Sequence, residues 1–249
     1  MIKCDFCYLC DVDLFETTNL NKTCMHLAKY IDHTILKPTT RLEDVEKLCS
    51  EAVEFGFAAV CVPPPYVKRC KTILAPTEVK VASVIGFPFG YSATEAKLAE
   101  VVLALVDGAD ELDMVINLVA LKNGDWDYLG REMRPVLEVI HNKGRILKVI
   151  IESGVLTDAE IIRCCELYGE LGIDYLKTST GYAEKGASVE AVQLMRQHLP
   201  STIRIKAAGG IRTYSFAKQL IDAGADRLGC SASVAIIREE PAGDPENSY

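Results

Sequence analysis

Short runs of apolar and β-branched residues alternate along the chain with longer amphipathic stretches. The short runs fall at 30–34, 58–62, 81–86, 111–115, 147–151, 174–178, 204–207 and 227–230, and each is read as a strand. The stretches between them, at 42–55, 92–106, 125–142, 158–171, 188–198 and 214–223, carry helical periodicity, and a short last helix is expected from Ser231. Strands covered by helices on the outside should read almost wholly apolar, as LKVIIE at 147–152 does. Eight such units with no Pro/Gly/Ser-rich linker predict an α/β chain forming a single (β/α)8 TIM barrel with a parallel eight-stranded core. The barrel is expected over residues 25–240, with an N-terminal extension at 1–24 and a flexible C-terminal tail at 241–249. An open doubly wound sheet is the competing architecture, but the GxGxxG that should follow its first strand is absent.

The helix ends carry matching local chemistry. Thr40 with Glu43, Ser92 with Glu95 and Thr157 with Glu160 have the spacing of capping boxes. Gly56, Gly108, Gly172 and Gly224 stand where left-handed helix ends are wanted before the next strand.

Composition narrows the function classes. The chain has 249 residues, is 49% hydrophobic and carries a formal charge of −8. Such a surface offers no general attraction to nucleic acid or anionic lipid, so neither is expected as a partner and any anionic ligand must be held locally. No apolar run approaches the ~20 residues of a membrane span, and no secretory signal pattern is evident, so a cytoplasmic protein is expected. The ten cysteines are scattered and are read as reduced core fillers. Cys4, Cys7 and Cys10 have CxxCxxC spacing, but three thiolates do not complete a four-ligand site, and no metal is assigned to them.

Charged residues inside apolar strands are the next signal, because a buried charge is unfavourable unless paired or functional. Asp113 in ELDMVI, Lys148 in LKVIIE, Lys177 in DYLKTSTG and Lys206 in IRIKAAGG lie on the fourth to seventh strands. Residues at the C-terminal ends of barrel strands form the usual working face. Lys177 and Lys206 fall on consecutive strands ~4.8 Å apart, close enough for one ammonium to suppress protonation of the other. An unprotonated lysine can attack a carbonyl and form an iminium, and Asp113 is a candidate proton relay. Taken singly, each lysine is equally readable as a strand-end residue reaching solvent. Asp32 and His33 at the end of the first strand read as a cap and a satisfied histidine, and His26, His141 and His198 are given no role.

Gly209 and Gly210 follow the seventh strand, and Gly229, Cys230 and Ser231 follow the eighth. Loops in these places commonly bind phosphate through backbone N–H groups, and Thr180 and Gly181 after the sixth strand complete the set. A phosphorylated carbonyl compound is the implied substrate.

Six motifs then stand in register: IDHTILKP (31–38), ELDMVIN (111–117), LKVIIESG (147–154), LKTSTGY (176–182), IKAAGGIRT (205–213) and LGCSAS (228–233). Together they closely resemble the deoxyribose-phosphate aldolase family. The resemblance implies a cofactor-free class I aldolase cleaving 2-deoxy-D-ribose 5-phosphate reversibly to D-glyceraldehyde 3-phosphate and acetaldehyde. It puts the Schiff-base lysine on Lys177, the lysine that lowers its pKa on Lys206 and the proton-relay aspartate on Asp113. Lys148 joins the charge network, while Asp32 and Thr34 line the pocket near the sugar hydroxyls. Phosphate is expected to meet Gly181, Gly209, Gly210, Gly229 and Ser231. Ala232 departs from the paired serines common in the family, which removes one hydroxyl contact. The terminal Tyr249 matches a tail tyrosine proposed in some members to help move the proton on the acetaldehyde-derived carbon. A homodimer is a further expectation of the resemblance, although no surface stripe fixes an interface. A related aldolase or transaldolase-like enzyme on another sugar phosphate, and a non-catalytic barrel, are the competing readings.

Overall fold

Eight strands pair in parallel in chain order, and the eighth closes on the first. They are β1 Ile31–Thr34, β2 Ala59–Val62, β3 Lys80–Ile85, β4 Glu111–Val115, β5 Ile146–Ile150, β6 Tyr175–Lys177, β7 Arg204–Ala208 and β8 Arg227–Cys230. The computed structural model describes residues 27–238. Cys4, Cys7, Cys10, His26 and Tyr249 lie outside the described residues. Every strand end falls within one residue of its sequence-based position, and the closed ring confirms the (β/α)8 barrel.

The helices are α1 Leu42–Phe55, α2 Val67–Leu74, α3 Thr94–Val106, α4 Leu118–Lys122, α5 Trp126–His141, α6 Asp158–Leu171, α7 Val189–His198, α8 Tyr214–Asp222 and α9 Ser233–Arg238. Two of them, α2 and α4, were not expected. The first emerges from a 3-10 turn at Pro64–Tyr66 and the second has only five residues, too few for an amphipathic period to register. Of the three expected capping boxes only Thr157 with Glu160 forms. At α1 the carboxylate of Asp44, not Glu43, accepts from the Arg41 amide at 2.8 Å, and Thr40 turns back to the Lys37 carbonyl. At α3 the cap falls on Ala93 with no side-chain bond, so Ser92 does not cap. The last helix opens at Ser233 rather than Ser231 and has six residues.

Alternation along each strand sorts side chains between two compartments. Outward residues such as Ile31, Val60, Leu112, Met114, Val149 and Leu228 join one continuous apolar shell with the helices. Each fully buried aliphatic side chain there contributes ~1.5–3 kcal/mol, which offsets an interior that is not apolar. Inward positions are small on one side of the barrel, with Ala59, Cys61, Ala82 and Gly229, and charged on the other. The register sets Asp113 beside Lys148, Lys177 beside Lys206 and Lys206 beside Arg227. The six described cysteines are all buried free thiols, as core filling requires. No helix among the described residues is long and apolar enough to cross a membrane.

Candidate active site

The inward charges form one buried network. Asp113 accepts from Lys148 on Oδ1 at 2.8 Å, and from Lys177 and Lys206 on Oδ2 at 2.8 and 2.7 Å. Lys206 also donates to Asp32 at 2.5 Å, and the other Asp32 oxygen is bound by Arg227 at 2.7 Å. Lys148 pairs further with Glu111 at 2.5 Å. Arg227 lies 3.6 Å from Glu111. Tyr175 floors the network, with the Arg204 guanidinium 4.1 Å from its ring centroid.

Counting formal charges explains the protonation pattern. Three carboxylates, Asp32, Glu111 and Asp113, face four bases, Lys148, Lys177, Lys206 and Arg227. The cluster is neutral overall when one base is unprotonated, and Lys177 is the least held: it has one carboxylate partner, whereas Lys148 and Lys206 each have at least two. Burial pushes the Lys177 pKa down, Lys206 pushes it the same way, and Asp113 opposes both without prevailing. For Lys206 burial also acts downward, but Asp113 and Asp32 outweigh it and keep it protonated. Lys148 is likewise held charged against burial by Asp113, Glu111 and Asp32. Burial alone would raise Asp113 and Asp32, yet the surrounding ammonium and guanidinium groups hold both well below the carboxylate range. The result is a lysine whose protonation is disfavoured, beside a fixed ammonium and a fixed carboxylate.

Above this network opens a cavity of about 470 Å³ lined on one side by Thr34, Ile35, Leu36 and Lys37. Thr180, Gly181, Gly209, Gly210, Gly229 and Ser231 face them, with Tyr182 and Arg212 at the rim. Gly181, Gly209 and Gly210 have φ of 90°, 87° and 77°, conformations open to glycine, and all three line the cavity. Gly229 serves differently: a Cβ there would lie 2.9 Å from the Ala208 Cβ and 3.2 Å from Lys206 Cε, so its absence makes room for the lysine. With α9 only six residues long and opening at Ser233, loop residues rather than a helix N-terminus line this end of the cavity.

The sequence-derived residues within the described range therefore assemble, with two corrections of detail, while His33 is the satisfied histidine expected. Asp32 does not stand free beside a substrate hydroxyl, because both its oxygens are engaged by Lys206 and Arg227. Thr180 lines the cavity, but its amide and hydroxyl both donate to Glu152. His33 lies behind β1, bound to Ser233 and Glu51 at 2.9 Å each, and is a satisfied core histidine. Glu111, Arg227, Lys37 and Arg212 were missed. For Glu111 the signal was present, since it stands two residues before Asp113 on the same strand face.

A parallel barrel holding a suppressed lysine between a second lysine and an aspartate, beneath a cavity of glycine amides, has the makings of a lysine-dependent aldolase. The chain belongs to the DeoC/LacD family of aldolases, whose family model matches residues 26–237. It is 54% identical over 215 residues to the deoxyribose-phosphate aldolase of Thermococcus gammatolerans, covering 86% of this chain and 96% of that protein. The enzyme of the same name from Thermococcus kodakarensis is 51% identical over 217 residues, covering 86% and 97%. Among solved structures, the tetrameric deoxyribose phosphate aldolase of Aeropyrum pernix superposes with a TM-score of 0.82 at 31% identity, covering 91% of this chain and 97% of that one.

Proposed function

We propose that this enzyme catalyses the reversible cleavage of 2-deoxy-D-ribose 5-phosphate to D-glyceraldehyde 3-phosphate and acetaldehyde, with Lys177 as the Schiff-base residue. The observation that carries the reading is a buried cluster whose charges balance when Lys177 alone is unprotonated. Relatives about half identical over most of their length bear the name of that activity.

In this reading the Lys177 amine adds to the C1 aldehyde of the open-chain sugar, and loss of water gives an iminium. The proton of the C3 hydroxyl is removed, the C2–C3 bond breaks, and its electron pair moves into the iminium to leave an enamine. Glyceraldehyde 3-phosphate departs. Protonation of the enamine at C2 and addition of water then release acetaldehyde and restore the amine. Asp113, which touches Lys148, Lys177 and Lys206 together, is placed to pass protons during carbinolamine formation and loss. Lys206 supplies the fixed positive charge and Lys148 holds the other Asp113 oxygen. Thr34, whose hydroxyl donates to the Asp32 carbonyl at 2.9 Å, accepts from the sugar end on its hydroxyl oxygen, and the amides at Gly181, Gly209, Gly210 and Ser231 receive the phosphate, with Gly229 admitting Lys206 beneath them. Tyr249, outside the described residues, keeps the role implied by the resemblance. A reducing, cytoplasmic setting accords with the six buried free thiols.

The test is direct. Purified protein incubated with 2-deoxyribose 5-phosphate should release acetaldehyde and glyceraldehyde 3-phosphate in equal amounts. Turnover of another sugar phosphate in preference to this one would overturn the substrate assignment.

A further inference from the structure

Glu152 makes no ion pair with the charge network, yet two unfavourable features meet on it. It is the only non-glycine residue with positive φ among the described residues, at φ 54° and ψ 57°. Its carboxylate is also buried, the residue being 3% exposed. Instead of a lysine or arginine, its hydrogen-bonding partners are the Thr180 amide, at 3.3 and 3.2 Å, and the Thr180 hydroxyl. Burial pushes its pKa up, and the Thr180 donors and the field of Lys177 oppose that push. A strained backbone and an ion-unpaired buried carboxylate persist together where the surroundings require them.

What they achieve is legible in the next contacts. With its own donors committed to Glu152, Thr180 accepts the Tyr182 amide on its hydroxyl oxygen at 3.0 Å. The Tyr182 hydroxyl in turn donates to the Leu36 carbonyl at 2.7 Å, across the cavity mouth. Gly181, held between these two anchors, has an amide with no acceptor among the described residues and lines the cavity. The loop has little freedom to adjust elsewhere. A Cβ on Gly154 would lie 2.4 Å from the Lys185 carbonyl oxygen, and one on Gly186 would lie 2.3 Å from that of Gly209. Ala187 donates to both the Ala208 and Gly209 carbonyls. The loops after β5, β6 and β7 are thus keyed backbone to backbone, and Glu152 is the side chain at the root of the stack.

We propose that Glu152 is a positioning residue for the anionic end of the substrate, holding the Thr180–Tyr182 turn so that the Gly181 amide is presented to the phosphate. The role rests on the aldolase reading of the same cavity and deepens it. It predicts that loss of the carboxylate weakens phosphate recognition without harming the lysine chemistry.

Glu152→Gly tests this most cleanly, because glycine accepts the positive φ and removes the carboxylate without adding backbone strain. Glu152→Gln, which keeps an acceptor oxygen, is the conservative partner. Three measurements apply: the Kd for inorganic phosphate by calorimetry, kcat and KM for 2-deoxyribose 5-phosphate, and kcat/KM for unphosphorylated 2-deoxyribose. For Glu152→Gly the expected result is about a tenfold rise in phosphate Kd and in KM, the loss of one good contact. Its kcat and its rate on the unphosphorylated sugar should stay near those of the parent, and Glu152→Gln should fall between the two. An unchanged phosphate Kd in Glu152→Gly would overturn the proposal, as would an equal loss on both sugars. If the parent protein cleaves no 2-deoxyribose 5-phosphate but Glu152→Gly still binds inorganic phosphate tenfold more weakly, the positioning role stands and the substrate assignment fails.

Discussion

Replacing Lys206 by methionine would remove one buried positive charge while keeping most of the side-chain volume. Lys177 and Lys206 bind the same oxygen of Asp113, at 2.8 and 2.7 Å, so their nitrogens are at most about 5.5 Å apart. At ~5 Å and an effective dielectric of ~20, two ammonium charges repel by about 3 kcal/mol. With about 1.4 kcal/mol per factor of ten, that repulsion changes the unprotonated fraction of Lys177 roughly a hundredfold. Charge counting gives the same sign: without Lys206 the three carboxylates face three bases, and the cluster is neutral with Lys177 protonated. Removing Lys206 thus raises the Lys177 pKa, reduces the free amine at a fixed pH and moves the activity to higher pH. The assay is kcat/KM for cleavage of 2-deoxyribose 5-phosphate across a pH series. Near neutrality Lys206→Met should be slower by about a hundredfold, with the deficit shrinking steadily as pH rises. A loss of the same size at every pH would refute the electrostatic role and point to misplacement of Lys177 instead.

Other outcomes follow from separate parts of the molecule. Gly229→Ala would set a methyl 2.9 Å from the Ala208 Cβ and 3.2 Å from Lys206 Cε; displacing Lys206 should lower kcat about tenfold while the melting temperature stays close to the parent's. Lys97→Met should cost about 3–5 kcal/mol in urea unfolding, because it leaves Glu132 buried without the ammonium that now sits 2.7 Å away. Lys97→Met combined with Glu132→Leu should recover most of that loss. Thr157→Ala removes the hydroxyl that accepts the Glu160 amide at the start of α6 and should cost about 1 kcal/mol by the same measurement.

The barrel was legible because its strands are buried on the outer face, so each reads as an apolar run between helical periods. Short elements escaped for the same reason: α4 has too few residues for a period, and α2 follows three prolines that read as a turn. Asp113, Lys148, Lys177 and Lys206 were conspicuous as charges inside apolar strands. Arg227 was not, since it opens its strand and has the ordinary look of a surface arginine. Only the register, which sets it beside Lys206, brings it into the network. Asp32 was found, but its pairing with Lys206 and Arg227 was not legible, because it depends on the barrel closing between β1 and β8. Glu152 left no trace of its conformation in the local sequence. Its positive φ and its bond to Thr180 are imposed by the packing of three loops, a tertiary effect that neither propensity nor spacing records.

The most direct test of the central claim is covalent trapping. Protein treated with acetaldehyde and borohydride, then digested and analysed by mass spectrometry, should carry a two-carbon ethyl adduct on Lys177, at a rate that climbs as this amine loses its proton. A stable adduct on Lys148 or Lys206 with Lys177 unmodified, or no adduct on any of the three, would contradict it.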